Sequence, residues 1–157
     1  MIGNSTKFAL VKGKGVSKIS RMNALDKAML DAGIGDINMI KVSSVLPSEI
    51  DRVEEVPDIV GAFRPCVIAK AVGKGKNLAA GLAYGFRDDN KGGYVAENSQ
   101  VSKDLDFNKF GDRLRKKIKK MGEDRDIELD GIVTESIELK LNEDEFGCAL
   151  VVLVYLP

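Results

Sequence analysis

The sequence predicts a single α+β domain, residues 1–157, rich in strands, and three observations carry that reading. Apolar runs of strand length recur along the chain, broken by glycine, proline or charged turns. One stretch, 103–121, carries a sustained helical period. No repeat, low-complexity segment or change in composition divides the chain, and 157 residues suffice to bury one core well.

Taken in order, residues 7–12 (KFALVK) have strand composition, and Gly13-Lys14-Gly15 reads as the turn after them. A short helix fits Met22 to Ala32. Leu25, Met29 and Ala32 fall on one face, Ala28 on its flank and Asp26 at its edge. Gly33 and Gly35 are expected to supply the left-handed positions that end this helix. Residues 37–42 (INMIKV) resume as a strand, which Pro47 stops soon after Ser43-Ser44. The acidic, proline-bounded stretch 48–58 reads as a surface connection.

Residues 66–72 (CVIAKAV) look like a buried strand. The small, glycine-bearing run 78–86 (LAAGLAYGF) reads as a strand packed closely on other backbone, with a short helix as the alternative. Asp88 to Gly93 forms a turn, and Tyr94-Val95-Ala96-Glu97 starts the next strand. In the 103–121 helix, Phe107, Phe110, Leu114, Ile118 and Met121 recur every three or four residues. Two strands follow, 128–140 and 146–156, around an Asn142-Glu143-Asp144-Glu145 turn. The last contains CALVVLVYL, apolar on both faces, and should lie in the middle of a sheet.

Composition narrows the chemistry. The 24 basic and 24 acidic residues cancel, so no long-range field favours nucleic acid or an anionic membrane. No apolar run is long enough to span a bilayer, and Met1 to Thr6 lacks a secretory profile. Cys66 and Cys148, in apolar surroundings, read as buried core thiols rather than a metal pair or disulfide. The expected location is the cytoplasm, where the sequon Asn4-Ser5-Thr6 would be silent. There is no histidine at all. That removes the commonest general base and zinc ligand, together with the Ser-His and Cys-His nucleophile pairs. Proton transfers must then fall to carboxylates, Lys, Tyr or Cys.

Several motifs compete for a function. Gly13-Lys14-Gly15 and Gly73-Lys74-Gly75 complete neither a dinucleotide fingerprint nor a P-loop, so both read as surface turns. Arg113, Arg115, Lys116, Lys117, Lys119 and Lys120 lie on the polar side of the long helix. With Asp112, Glu123 and Asp124 nearby and no interleaved aromatics, they read as a solvated face rather than a nucleic-acid site. Ser43-Ser44 is a common dipeptide, but it ends a strand just before Pro47, where a carbonyl can be held under strain. Attack by the Ser44 hydroxyl on the Ser43 carbonyl would need reach, an oxyanion donor and a bent backbone.

The spacing of these elements is more specific than any one of them. Asn23-Ala24-Leu25-Asp26-Lys27-Ala28, Ala32-Gly33-Ile34-Gly35, Asn38-Met39-Ile40 and Ser43-Ser44-Val45-Leu46-Pro47 together resemble the pyruvoyl-dependent arginine decarboxylase family. The resemblance continues more loosely through Val60-Gly61-Ala62 with Pro65, Gly93 to Glu97, and Gly147-Cys148-Ala149. Asn98-Ser99-Gln100, Arg64 and the charged run Phe86 to Asn90 depart from the family pattern, and bear on the substrate more than on the cofactor.

The resemblance implies an αββα sandwich of two mainly antiparallel sheets flanked by helices, assembled as a homotrimer with sites between subunits. It implies autocatalytic cleavage between Ser43 and Ser44 into a β-chain, 1–43, and an α-chain, 44–157. Ser44 would become a covalent pyruvoyl group, which takes the part that pyridoxal phosphate (PLP) plays elsewhere, with no PLP and no metal. Ser43 would line the site as the new C-terminus, and Asn38 would assist processing. Glu97 would be the proton donor, a role that calls for partial burial; its bland reading is an ordinary strand-end carboxylate. Asp26 would pair with the substrate guanidinium. The implied reaction is decarboxylation of L-arginine to agmatine and carbon dioxide, feeding polyamine biosynthesis. Two alternatives stand beside it: a decarboxylase for another cationic amino acid, and a non-processing trimeric homologue with a structural or regulatory role.

Overall fold

A computed structural model describes residues 5–157; Asn4 of the sequon lies outside them. The chain forms β1 (Lys7–Ser17), α1 (Arg21–Asp31), β2 (Asn38–Lys41), β3 (Val45–Leu46), β4 (Asp51–Val53), β5 (Phe63–Lys74), β6 (Asn77–Arg87), β7 (Gly93–Ser102), α2 (Phe107–Glu123), β8 (Leu129–Lys140) and β9 (Phe146–Leu156). Two sheets result, in the orders β2-β5-β9-β1-β4 and β3-β7-β6-β8. Pairing is antiparallel except where the short strands β4 and β2 join β1 and β5 in parallel.

Three apolar layers hold the sandwich. Between the sheets lie Phe8, Leu10, Val67, Leu78, Leu82, Val95, Val151 and Leu153. On the outer face of the five-stranded sheet, Ala24 and Ala28 of α1 pack on Cys66, Cys148, Leu150, Val152 and Val154. On the outer face of the other sheet, Leu114 and Ile118 of α2 meet Ala83, Tyr94 and Ala96. This is the expected αββα sandwich in one domain. As expected, β9 is central in its sheet and buried along nearly all its length. The run 78–86 is a strand rather than a helix.

Four expectations need correction. Gly13-Lys14-Gly15 is not a turn, because β1 runs unbroken to Ser17. A Cβ at Gly13 would overlap the Ala28 carbonyl oxygen, and one at Gly15 the Ala24 carbonyl oxygen. These glycines therefore let α1 lie directly on the strand. Of the two glycines after α1, only Gly33 has a positive φ (75°); Gly35 instead packs against Leu30. The connection 48–58 contains β4 and buries Ile50 and Val56, so it is only partly a surface loop. The long helix starts at Phe107 because Asp106 caps it, accepting from Lys109 N–H at 3.1 Å.

Candidate functional site

The site is built where the chain crosses from one sheet to the other. β2 is the edge of the five-stranded sheet, and β3 is the edge of the four-stranded sheet. Ser43 and Ser44 lie in the short link between them, so the dipeptide spans the open side of the sandwich. Ser43 is exposed and Ser44 is half-buried.

Beyond Ser44 the chain is fixed on both sides. The Ser44 carbonyl oxygen accepts the Val95 N–H at 3.0 Å. Val45 and Leu46 then pair with Tyr94 and Gly93 of β7. The Val45 carbonyl oxygen accepts the Tyr155 hydroxyl of β9, in the opposite sheet, at 2.7 Å. Tyr155 is buried, and burial pushes its phenol up to about 12, so the hydroxyl stays a donor.

Glu97 follows Val95 by two residues on β7, about 7 Å further along the strand and on the same face. It is half-buried and lines one cleft of about 770 Å³ with Ser44, Val95, Lys116, Lys117, Lys120 and Met121. Glu97 is not at a strand end as expected, because β7 continues to Ser102. A second hollow, between Lys41, Ile68 and Lys70 on one sheet and Glu97, Asn98 and Ser99 on the other, opens beside it.

The polar side of α2 forms one wall of the cleft. Lys117 Nζ donates to the Glu97 carbonyl oxygen at 3.3 Å and to Asn98 Oδ1 at 3.0 Å. That carbonyl points to the open edge of β7, in the same register as the Val95 N–H, and has no neighbouring strand to pair with. Lys120 is paired with Asp124 at 2.5 Å. With Glu97, Glu123 and Asp124, the carboxylates partly offset the lysines. Sequence reading placed these lysines only on a solvated face; a basic, amphipathic helix is the one signal that could have drawn attention to them.

Asn38 lies at the start of β2. Its amide Nδ2 donates to the Gly61 carbonyl oxygen at 3.0 Å, and its N–H to Ala62 O at 2.8 Å. The side chain thus ties β2 to the loop before β5, rather than lining the Ser44–Glu97 cleft. Asp26 projects from the exposed side of α1, which packs on the outer face of the five-stranded sheet. Within one chain it is outside that cleft. The structure therefore brings Ser44 and Glu97 into one cleft, leaves Ser43 exposed beside Ser44, and sets Asn38 and Asp26 apart from them.

Other polar features lie further out. Arg87 pairs with Asp89 at 2.6 Å and donates to Tyr94 Oη at 2.8 Å, which orders the charged hairpin. Arg64 Nε is buried with no hydrogen-bond partner among the described residues. It follows exposed Phe63 on β5 and pairs in register with Met39 of β2, next to exposed Ile40; Ile59 and Val60, shortly before β5 in the chain, are also exposed. Cys66 and Cys148 are buried and free, as expected. No cluster of three or more His, Cys, Asp or Glu side chains that could hold a metal ion occurs among the described residues. No helix there is long and apolar enough to cross a membrane.

Known proteins resemble the chain in sequence and in fold. The family profile described as pyruvoyl-dependent arginine decarboxylase matches residues 7–157. A pyruvoyl-dependent arginine decarboxylase of Thermococcus kodakarensis is 30% identical over 141 residues, covering 88% of this chain and 87% of its own. One from Methanococcus vannielii is 31% identical over 147 residues, covering 90% and 85%. Among solved structures, a pyruvoyl-dependent histidine decarboxylase at pH 8 superposes with a TM-score of 0.53. It is 14% identical and covers 66% of this chain and 55% of that one, a likeness of fold.

Proposed function

The chain belongs to the pyruvoyl-dependent arginine decarboxylase family, and from that premise we propose that it cuts itself between Ser43 and Ser44 and then decarboxylates L-arginine. The products are agmatine and carbon dioxide, with agmatine feeding polyamine biosynthesis. The observation that carries this reading is the Ser44 carbonyl held by Val95 N–H in a cleft shared with Glu97.

Processing follows from the residues themselves. The Ser44 hydroxyl oxygen bonds to the Ser43 carbonyl carbon, its proton passes to the Ser44 nitrogen, and the C–N bond breaks to leave an ester. Loss of the Ser44 α-proton then expels the Ser43 carboxylate and leaves a dehydroalanine at position 44. Water converts that residue to a pyruvoyl group with release of ammonia. Removing the α-proton puts negative charge on the Ser44 carbonyl oxygen, the atom that Val95 N–H faces. A donor already aimed at developing charge needs no reorganisation during the step. The same donor is why the surroundings of Ser44 fit the group.

Once formed, the group supplies an electron sink for the pair released when the substrate loses carbon dioxide. The chain's own residues do the rest. Val95 N–H again faces the oxygen where charge collects. Glu97 carries the proton returned to the substrate α-carbon, and Lys117 holds the main chain of Glu97 in place. Ser43 lines the mouth of the cleft.

Asp26 suits a guanidinium, whose planar fork pairs with a carboxylate through two hydrogen bonds. It lies outside its own chain's cleft, which supports a site completed by a neighbouring copy in a homotrimer. Ile59 at 53% exposure, Val60 at 80% and Phe63 at 69% leave an apolar patch beside β2 for such contacts. Asn38 acts by fixing β2 to the Gly61 loop, and so the strand that leads into the cleavage site.

Carbon dioxide release from L-arginine, L-ornithine and L-lysine tests the substrate. Preference for arginine by kcat/KM supports the proposal, and preference for lysine or ornithine replaces it with the neighbouring specificity.

A further inference from the structure

One buried polar contact beside the site is unaccounted for by the chemistry above. The Tyr155 hydroxyl crosses from the central strand of one sheet to the Val45 carbonyl of the other at 2.7 Å, between residues 110 positions apart. Tyr155 is 6% exposed, within the layer between the sheets. β3, the strand it reaches, is only two residues long.

That shortness matters once the backbone is cut. Before cleavage, Ser44 is held from both directions by covalent chain. Afterwards residue 44 is a chain end, and chain ends fray unless tied down. Two ladder pairs, Val45–Tyr94 and Leu46–Gly93, and the Val95 N–H are what β7 offers to hold it. All of these come from the same sheet. Among the described residues, Tyr155 adds the one hydrogen bond to the opposite, largely buried β9, and it does so at the residue next to the new terminus.

We propose that Tyr155 is a positioning residue that anchors the cut end of the α-chain, so that the carbonyl of residue 44 stays on the Val95 N–H during turnover. The proposal rests on the self-cleavage and decarboxylation reading above. The hydroxyl touches neither substrate nor the reacting atoms; it acts by limiting the motion of Val45. Near-attack geometry is lost steeply with small displacements, so the effect should appear in kcat rather than in KM.

The test compares two substitutions in the full chain. Tyr155→Phe removes the anchoring hydroxyl and keeps the ring. Tyr84→Phe is the control: Tyr84 lies in the same apolar layer at the same 6% exposure and sits opposite Val95 on β6, but its hydroxyl accepts from Arg52 at 3.3 Å rather than bonding residues 44–46. Intact mass measures cleavage, and carbon dioxide release is expressed per pyruvoyl-bearing chain. The expected result is that Tyr155→Phe cleaves but turns over about tenfold more slowly in kcat. Its KM should stay within about twofold, while Tyr84→Phe matches the unsubstituted chain. Three outcomes overturn the proposal: unchanged kcat in Tyr155→Phe, an equal loss in Tyr84→Phe, or a Tyr155→Phe chain that stays whole. The last would put the hydroxyl's work before the cut. If the unsubstituted chain neither cleaves nor releases carbon dioxide from arginine, the functional reading itself has failed.

Discussion

The Val95 N–H donates to the Ser44 carbonyl oxygen at 3.0 Å, which fixes the serine of the dipeptide against the strand that carries Glu97. A two-residue step along β7 then brings a half-buried carboxylate and that carbonyl into one cleft. In the proposed chemistry, processing and turnover share this donor and differ in their need for Glu97.

Glu97→Gln separates the two. It should cleave to the same fragments as the unsubstituted chain, because no step of the cut uses the Glu97 proton. Carbon dioxide release per cleaved chain should fall by about 100-fold or more, the scale of a lost general acid. Intact mass and a release assay on the same sample check both halves. Poor cleavage would assign Glu97 to processing as well.

Asp26→Asn addresses the substrate head group. Loss of a charge-assisted pair of about 1.5–3 kcal/mol should raise KM for arginine by about 10- to 100-fold. The change in kcat should be smaller. Mixing inactive Ser44→Ala chains with Asp26→Asn chains should restore arginine affinity at some sites, if a neighbouring copy supplies the carboxylate. Steady-state kinetics of the mixture reads this directly.

The two thiols should be inert in the folded protein. Burial pushes Cys66 up to about 12 and Cys148 up to about 11. A raised thiol pKa means less thiolate at any given pH, so at pH 8 both should react far more slowly than a free cysteine. Alkylation followed by mass spectrometry should find neither modified until denaturant is added, and both modified afterwards.

Gly15→Ala tests the contact between α1 and β1. The added methyl would overlap the Ala24 carbonyl oxygen and Ala28 N, both backbone atoms that cannot rotate away. A cost of about 1–3 kcal/mol follows from overpacking of this kind, seen as a lower denaturant midpoint with an unchanged slope. A midpoint equal to that of the parent chain would mean that α1 can shift off the strand without loss.

Much of this architecture was legible in the sequence where the signal is local. The apolar run of β9 announced a central strand, and the three- and four-residue spacing of Phe110, Leu114 and Ile118 announced α2. The spaced Asp26, Asn38 and Ser43-Ser44 cassette pointed to the family. What escaped depends on partners distant in sequence. Gly13 and Gly15 look like turn residues until the Ala24–Ala28 backbone lies on them. Val95 opposite Ser44, Tyr155 opposite Val45 and Lys117 on the Glu97 carbonyl join segments whose meeting no local pattern encodes. The three-residue β4 hid in an acidic stretch because its order comes from pairing with β1.

The self-cleavage at Ser43–Ser44 is the claim on which the rest depends, and intact mass under denaturing conditions after warm incubation tests it most directly. Two fragments are expected, residues 1–43 and 44–157, the larger without a free amino terminus, with Ser44→Ala remaining whole. A single uncut chain of 157 residues from the unsubstituted sequence would contradict it.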